Sequence, residues 1–147
     1  MHDHHVNVFF YGSLMNFDVL ADAGIDERPY QVANLPGYRL WISPFANLVS
    51  DNACETFGIL TQLTHKELDQ LYVTHARGKL GAIYLPKAVL VHVNGSEPIP
   101  ALCYISHSLE TKHPEPDYLE HILEAARNYD FPPTYINHIV SMASRTH

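Results

Sequence analysis

The chain has 147 residues, with nine Lys+Arg against sixteen Asp+Glu for a formal charge of −7, and its eleven His outnumber the fixed cations. At 46% hydrophobic and 17% charged, with nine Tyr and six Phe, it has the apolar material for a buried core and is not a disordered or heavily solvated chain. An acidic sequence without a Lys/Arg cluster lacks the footprint that nucleic acid or an anionic membrane surface requires, and no run approaches the roughly 20 apolar residues of a membrane span.

The length suits one domain over residues 1–147, opened by a flexible, His-rich stretch over residues 1–5. Met1-His2-Asp3-His4-His5 has neither the basic nor the apolar region of a secretory signal, so a cytoplasmic location is the expectation. These histidines offer a metal ion no preorganised geometry, and only adventitious binding is expected there. Val6 to Tyr11 is rich in β-branched and aromatic residues and stops at Gly12-Ser13, which predicts a buried strand ending in a tight turn. A short helix over Asn16 to Ala21 follows, with Asn16 as its cap. Gly37 to Ile42, Ala46 to Ser50 and Thr56 to Thr61 are further strands, separated by Pro, Asn and Asp, and their spacing suits a mostly antiparallel sheet or small barrel.

Thr64-His65-Lys66-Glu67 is a capping box, with Leu63 and Leu68 as the hydrophobic staple. Leu68, Leu71, Tyr72 and His75 then fall on one helical stripe, which puts His75 on the inward face before Gly78 and Gly81 break the chain. Ala82 to Val93 and Ile99 to Ser106 read as two longer strands with Asn94-Gly95 at the turn between them. Beyond residue 107 the period becomes helical: Pro116 opens a helix with Leu119, Ile122, Leu123 and Ala126 in one stripe, and Pro132-Pro133 opens a second with Ile136, Ile139, Val140 and Ala143. Strands, a helix, strands and a helical C-terminal pair make the fold class α+β. Cys54 and Cys103, each in a strand-like run, read as buried thiols and not as a disulfide framework or zinc site.

Chemistry concentrates at Tyr11-Gly12-Ser13-Leu14, since a strand ending in Gly-Ser exposes successive backbone N–H groups that can cradle a carboxylate or carbonyl oxygen. The same four residues also suit a plain strand-to-helix turn. Arg77, in a Gly-flanked segment, has a guanidinium that can hold a carboxylate by two parallel hydrogen bonds, or simply be solvated. His65, His92, His107, His113, His121, His138 and His147 lack ligand spacing and read as surface or helix-face residues. No nucleophile elbow, phosphate loop or dinucleotide fingerprint is present, so neither a cofactor nor a metal is expected.

Taken in order, Tyr11-Gly12-Ser13-Leu14, Phe57-Gly58-Ile59-Leu60, Glu67-Leu68-Asp69-Gln70-Leu71, Gly81-Ala82-Ile83-Tyr84, Ala101-Leu102-Cys103-Tyr104, Pro116-Asp117-Tyr118-Leu119 and Phe131-Pro132-Pro133-Thr134-Tyr135-Ile136 resemble the gamma-glutamylcyclotransferase-like family over nearly the whole chain. The resemblance implies a small mixed β-barrel or sheet with flanking helices and a cavity at one end. Its implied ligand is a small γ-glutamyl or amide compound, whose own α-amine attacks the γ-carbonyl to give 5-oxoproline and a free amine. Tyr11, Gly12, Ser13 and Leu14 would then bind the γ-glutamyl group, with Tyr84 and Tyr104 as pocket tyrosines or as core residues with rim hydroxyls.

The family's base is a Glu just after the Leu-rich helix, and the register carried over from Leu68-Asp69-Gln70-Leu71 puts His75 at that position. No Asp or Glu lies between Asp69 and Glu97 to replace it. Imidazole accepts a proton near neutral pH, so His75 suits the role of base, while a core histidine bonded to a backbone carbonyl suits the same pattern. Two functions follow: an enzyme with an unusual base, of γ-glutamyl or altered amide specificity, or a module that binds the ligand without turnover. The sequence assigns no oligomeric state.

Overall fold

The structure, a computed structural model, describes residues 4–81, 83–107 and 112–143, apart from the side chains of residues 75, 77, 79, 80 and 143. Strand β1 (His5–Phe10) occupies the middle of a five-stranded sheet, and Val8, Phe9 and Phe10 are all buried because both of its faces are covered. It runs antiparallel to β3 (Ala46–Thr64), from the His5–Thr64 pair to Phe10–Ile59, and parallel to β5 (Ile99–Ile105) at Val8–Leu102. Strands β2 (Tyr30–Ile42) and β4 (Leu85–Val91) complete the order β2-β3-β1-β5-β4. The two outer strands meet: Asn34 and His92 exchange two backbone hydrogen bonds of 2.9 Å, and the Lys87 ammonium lies 5.5 Å from the Tyr38 ring centre. The sheet thereby curls into a small, mostly antiparallel barrel.

Gly58 lets β3 lie close to β1, since a Cβ there would collide with the Phe10 carbonyl and crowd the Phe9 ring. Among the described residues the helical elements are a 3₁₀ turn (Ser13–Met15), α1 (Phe17–Asp22), α2 (His65–Asp69) with its π-helical continuation (Gln70–Leu80), α3 (Pro116–Asn128) and α4 (Pro133–Ala143). Tyr135 on α4 and Phe131 just ahead of it pack on the barrel, meeting Phe57 edge-on and tilted respectively.

The structure corrects the sequence reading in several places. The strand expected at Gly37 starts at Tyr30, because Pro36 interrupts the alternation in sequence but not the pairing, which resumes after a shift between Pro36 and Tyr38. The strands expected at Ala46–Ser50 and Thr56–Thr61 are one strand: the polar Asp51–Cys54 run forms an irregularity within β3, closed by Ala53 N–H donating to the Asp51 carboxylate at 3.0 Å. That excursion leaves Cys54 half-buried, whereas Cys103 is buried as expected. Gly78 does not break the helix, which ends at Gly81 in the left-handed region at φ 70°. The Asn94-Gly95 turn forms, with both residues at positive φ, inside a longer connection between Val91 and Ile99. His5, placed by sequence in the N-terminal stretch, already pairs with Thr64, and residues 1–3 lie outside the described residues.

The capping box at α2 is present: Glu67 N–H donates to the Thr64 hydroxyl at 3.2 Å and Thr64 N–H to the Glu67 carboxylate at 3.0 Å. Arg28 adds a two-pronged pair with the same carboxylate at 2.8 and 2.7 Å. The Arg28 hydrogen bonds foremost, and then the Thr64 N–H, hold the Glu67 carboxyl down at about 2. A carboxyl depressed in the folded state contributes stability above its unfolded pKa, and that contribution is lost as pH falls through the folded value. Glu67→Gln is therefore expected to cost roughly 1 kcal/mol at neutral pH, and to flatten the loss of stability between about pH 4.5 and 2. Urea melts across that range check it, and an unaltered acid limb would refute the assignment.

Candidate functional site

Strand β1 leaves the sheet at Phe10, and the chain turns through Tyr11 and Gly12 directly into the 3₁₀ turn. Helix α3 and the residue after it fix this turn. The Asn16 side chain accepts from Asp18 N–H at 3.0 Å, capping α1, and its amide donates to the His121 carbonyl at 3.0 Å and to Glu124 at 3.1 Å on α3. Tyr129, just past α3, donates its hydroxyl to the Met15 carbonyl at 2.7 Å. In the 3₁₀ turn Met15 N–H donates to the Gly12 carbonyl, so the Ser13 and Leu14 N–H groups ahead of it have no acceptor within the turn.

The tip of the β2–β3 hairpin folds over the same end of the barrel. Asn47 exchanges two hydrogen bonds with the Ser106 backbone, at 2.7 and 3.0 Å, which fastens the start of β3 to the end of β5. The Ala46 peptide groups are gripped by two phenols: Ala46 N–H donates to the Tyr118 hydroxyl at 2.7 Å, and the Tyr84 hydroxyl donates to the Ala46 carbonyl at 2.6 Å. A Cβ at Gly12 would stand 2.6 Å from the Ala46 side chain, so only glycine allows the turn and the hairpin this approach.

Between turn and hairpin lies a cavity of about 60 Å³. Its walls are Phe10 to Leu14 on one side, Phe45 and Ala46 on another, and the rings of Tyr72, Tyr84, Tyr104 and Tyr118. Ala76 closes it from the π-helical segment, where Tyr72 stacks flat on Tyr104 with ring centres 3.7 Å apart and planes 7° from parallel. No Asp, Glu, Lys or Arg lines the cavity among the described residues.

Burial sets the protonation of these groups. It pushes the Tyr118 phenol up to about 12, against the Ala46 N–H and the Ser13 side chain, which pull it down. Burial raises Tyr11 and Tyr72 well above the ordinary phenol value and raises Tyr84 strongly, and each is raised further by neighbouring phenols. Tyr104, half-buried, is raised by burial and by Asp69, and the Cys103 thiol beneath the cluster is pushed up to about 12 by burial. All of them stay protonated at neutral pH, so they act as hydrogen-bonding groups and not as bases.

The structure brings six of the residues singled out by sequence, Tyr11, Gly12, Ser13, Leu14, Tyr84 and Tyr104, around this one cavity. Two of the tyrosine hydroxyls have scaffold bonds: that of Tyr11 donates to the Tyr104 carbonyl at 2.6 Å, and that of Tyr84 holds Ala46. The side chains of His75 and Arg77 lie outside the described residues. Sequence reasoning missed Tyr72 and Tyr118 as lining groups. Tyr72 stood on the Leu68-Leu71 stripe and Tyr118 beside the stripe residue Leu119, so both carried a burial signal without a cavity to attach it to. Phe45 and Ala46 carried none, since they reach the cavity only through the hairpin fold. Among the described residues there is no group of three or more His, Cys, Asp or Glu able to hold a metal ion, and no helix long and apolar enough to cross a membrane.

A curled five-stranded sheet with flanking helices and a cavity at the end of its first strand defines a gamma-glutamylcyclotransferase-like α+β fold. A solved structure described as gamma-glutamyl cyclotransferase aligns over 98% of this chain and 91% of its own, at 17% identity and a TM-score of 0.77. YkqA from Bacillus subtilis aligns at 21% identity and a TM-score of 0.77 over 95% of this chain, which spans 54% of that longer one. A gamma-glutamyl cyclotransferase specific to glutathione, from yeast, aligns at 12% identity and a TM-score of 0.67, over 97% of this chain and 96% of its own. The chain belongs to the AIG2-like family, which it matches over residues 55–139. No curated protein matches it in sequence.

The grip on Ala46 generates a test of the cavity's construction. Tyr118→Phe leaves the Ala46 N–H buried without its acceptor, which is expected to cost about 1–3 kcal/mol. Denaturant melts and faster amide hydrogen exchange at Ala46 would register it, whereas a variant as stable as the parent would show that the bond contributes nothing.

Proposed function

We propose that the cavity binds a γ-glutamyl group and that the protein closes it to 5-oxoproline. The observation that carries this reading is the Tyr11–Leu14 turn, whose backbone donors stand at a small cavity walled by neutral phenols. Such donors suit the γ-carbonyl oxygen, which becomes an oxyanion when the α-amine attacks. The close walls favour the folded-back conformation in which amine and carbonyl meet.

In this reading a base takes a proton from the substrate's α-ammonium, and the freed amine forms a C–N bond to the γ-carbon. The tetrahedral oxyanion then collapses, the original amide C–N bond breaks, and the protonated base gives its proton to the departing amine. Neither the phenols nor Cys103 can be that base at neutral pH, because burial keeps them protonated. His75, which stands in the chain between the lining residues Tyr72 and Ala76, is assigned the role. Arg77, two residues on, is assigned the substrate's carboxylate.

A second reading is favoured by one observation, the lack of any carboxylate among the described lining residues: the pocket holds a γ-glutamyl or other small amide without turnover. Release of 5-oxoproline from a panel of γ-glutamyl peptides and amines separates the two. Cyclisation by the parent chain with a loss of about 100-fold or more in kcat for His75→Ala supports the enzyme. Turnover untouched by that substitution removes His75 from the mechanism, and saturable binding without product establishes the second reading.

A further inference from the structure

The hydroxyls of Tyr11, Tyr72, Tyr84 and Tyr118 converge closely enough that ionising any one of them would be felt by others in the group. Three of the four are committed to the main chain: Tyr11 to the Tyr104 carbonyl, Tyr84 to the Ala46 carbonyl, and Tyr118 as acceptor from Ala46 N–H. The fourth is different. The Tyr72 hydroxyl is buried, its residue lines the cavity, and among the described residues it has no hydrogen-bond partner. Its ring is held by the flat stack on Tyr104, so the hydroxyl is fixed in place by packing and not by a bond of its own.

A buried phenol without a partner among the described residues is uncommon in folded proteins, and it leaves a donor that an acceptor on a bound molecule can use. We propose that the Tyr72 hydroxyl is a ligand contact, donating to an acceptor oxygen of the molecule held in the cavity. The proposal rests on the γ-glutamyl reading above and adds to it a binding residue that the sequence did not mark. Because the phenol remains protonated, it serves a carbonyl or carboxylate oxygen and not an ammonium group. The occupant is thus recognised here by a neutral donor.

Tyr72→Phe removes the hydroxyl and keeps the stacked ring, and Tyr84→Phe serves as the comparison in which the lost hydroxyl has a known protein partner. γ-Glutamylglycine, the simplest γ-glutamyl dipeptide, is titrated calorimetrically into the parent chain and both variants, and each is melted without ligand. The expected result is binding weakened by about tenfold or more in Tyr72→Phe, with a ligand-free Tm equal to or above that of the parent. Tyr84→Phe is expected to lose Tm instead. If the parent binds and Tyr72→Phe binds equally well, or if Tyr72→Phe loses as much Tm as Tyr84→Phe, the assignment of Tyr72 falls while the γ-glutamyl reading stands. A parent chain that does not bind the dipeptide overturns that reading and this assignment together.

Discussion

The site depends on one constraint, the fixed position of the Ala46 peptide. Its N–H and its carbonyl are both taken by phenols from elsewhere in the chain, Tyr118 on α3 and Tyr84 ahead of β4, while Gly12 presses against its side chain. Three distant segments therefore meet at one small residue, and the space they leave between them is the cavity. Any side chain at Gly12, or any shift of the hairpin tip, changes the cavity before it changes the barrel. The barrel itself is fixed independently by the buried β1 and by the Asn34–His92 closure at the opposite seam.

The same arrangement decides what chemistry is available. Burying several hydroxyls together penalises the charge of each, and each would repel the charge of the next, so the cluster is held neutral. A cage of neutral phenols offers hydrogen-bonding groups and no base at neutral pH. A gamma-glutamylcyclotransferase-like fold in the AIG2-like family thus carries, in this chain, a cavity whose described walls are aromatic and uncharged.

Helix α3 has a second role beyond covering the sheet. Its carbonyl at His121, its Glu124 side chain and the Tyr129 hydroxyl just beyond it all bond to the short segment Met15–Asn16. A strand-to-helix turn of this length has few hydrogen bonds of its own, and these long-range bonds hold its end in place. Helix α3 so positions a turn made by the first sixteen residues.

Much of this was legible along the chain because it rests on local rules. The run Val6–Tyr11, the Asn16 cap, the Thr64–Glu67 capping box, the Asn94-Gly95 turn and the proline-opened helices each depend on neighbours within a few residues, and each forms. The Tyr11–Leu14 turn was legible for the same reason. Where the reading stopped short, at Tyr30–Pro36 and at Asp51–Cys54, strand pairing carried the chain through residues whose own propensities oppose it. Which phenols face the cavity was never local information. Tyr72 on one buried stripe and Tyr118 beside another look much alike in sequence, and only the folded chain gives one hydroxyl a backbone partner and leaves the other without one among the described residues. The sequence by itself determined most of the elements and the Tyr11–Leu14 turn; the tertiary structure decided the cavity, because its walls come from segments more than a hundred residues apart in the chain, whose contacts no local pattern encodes.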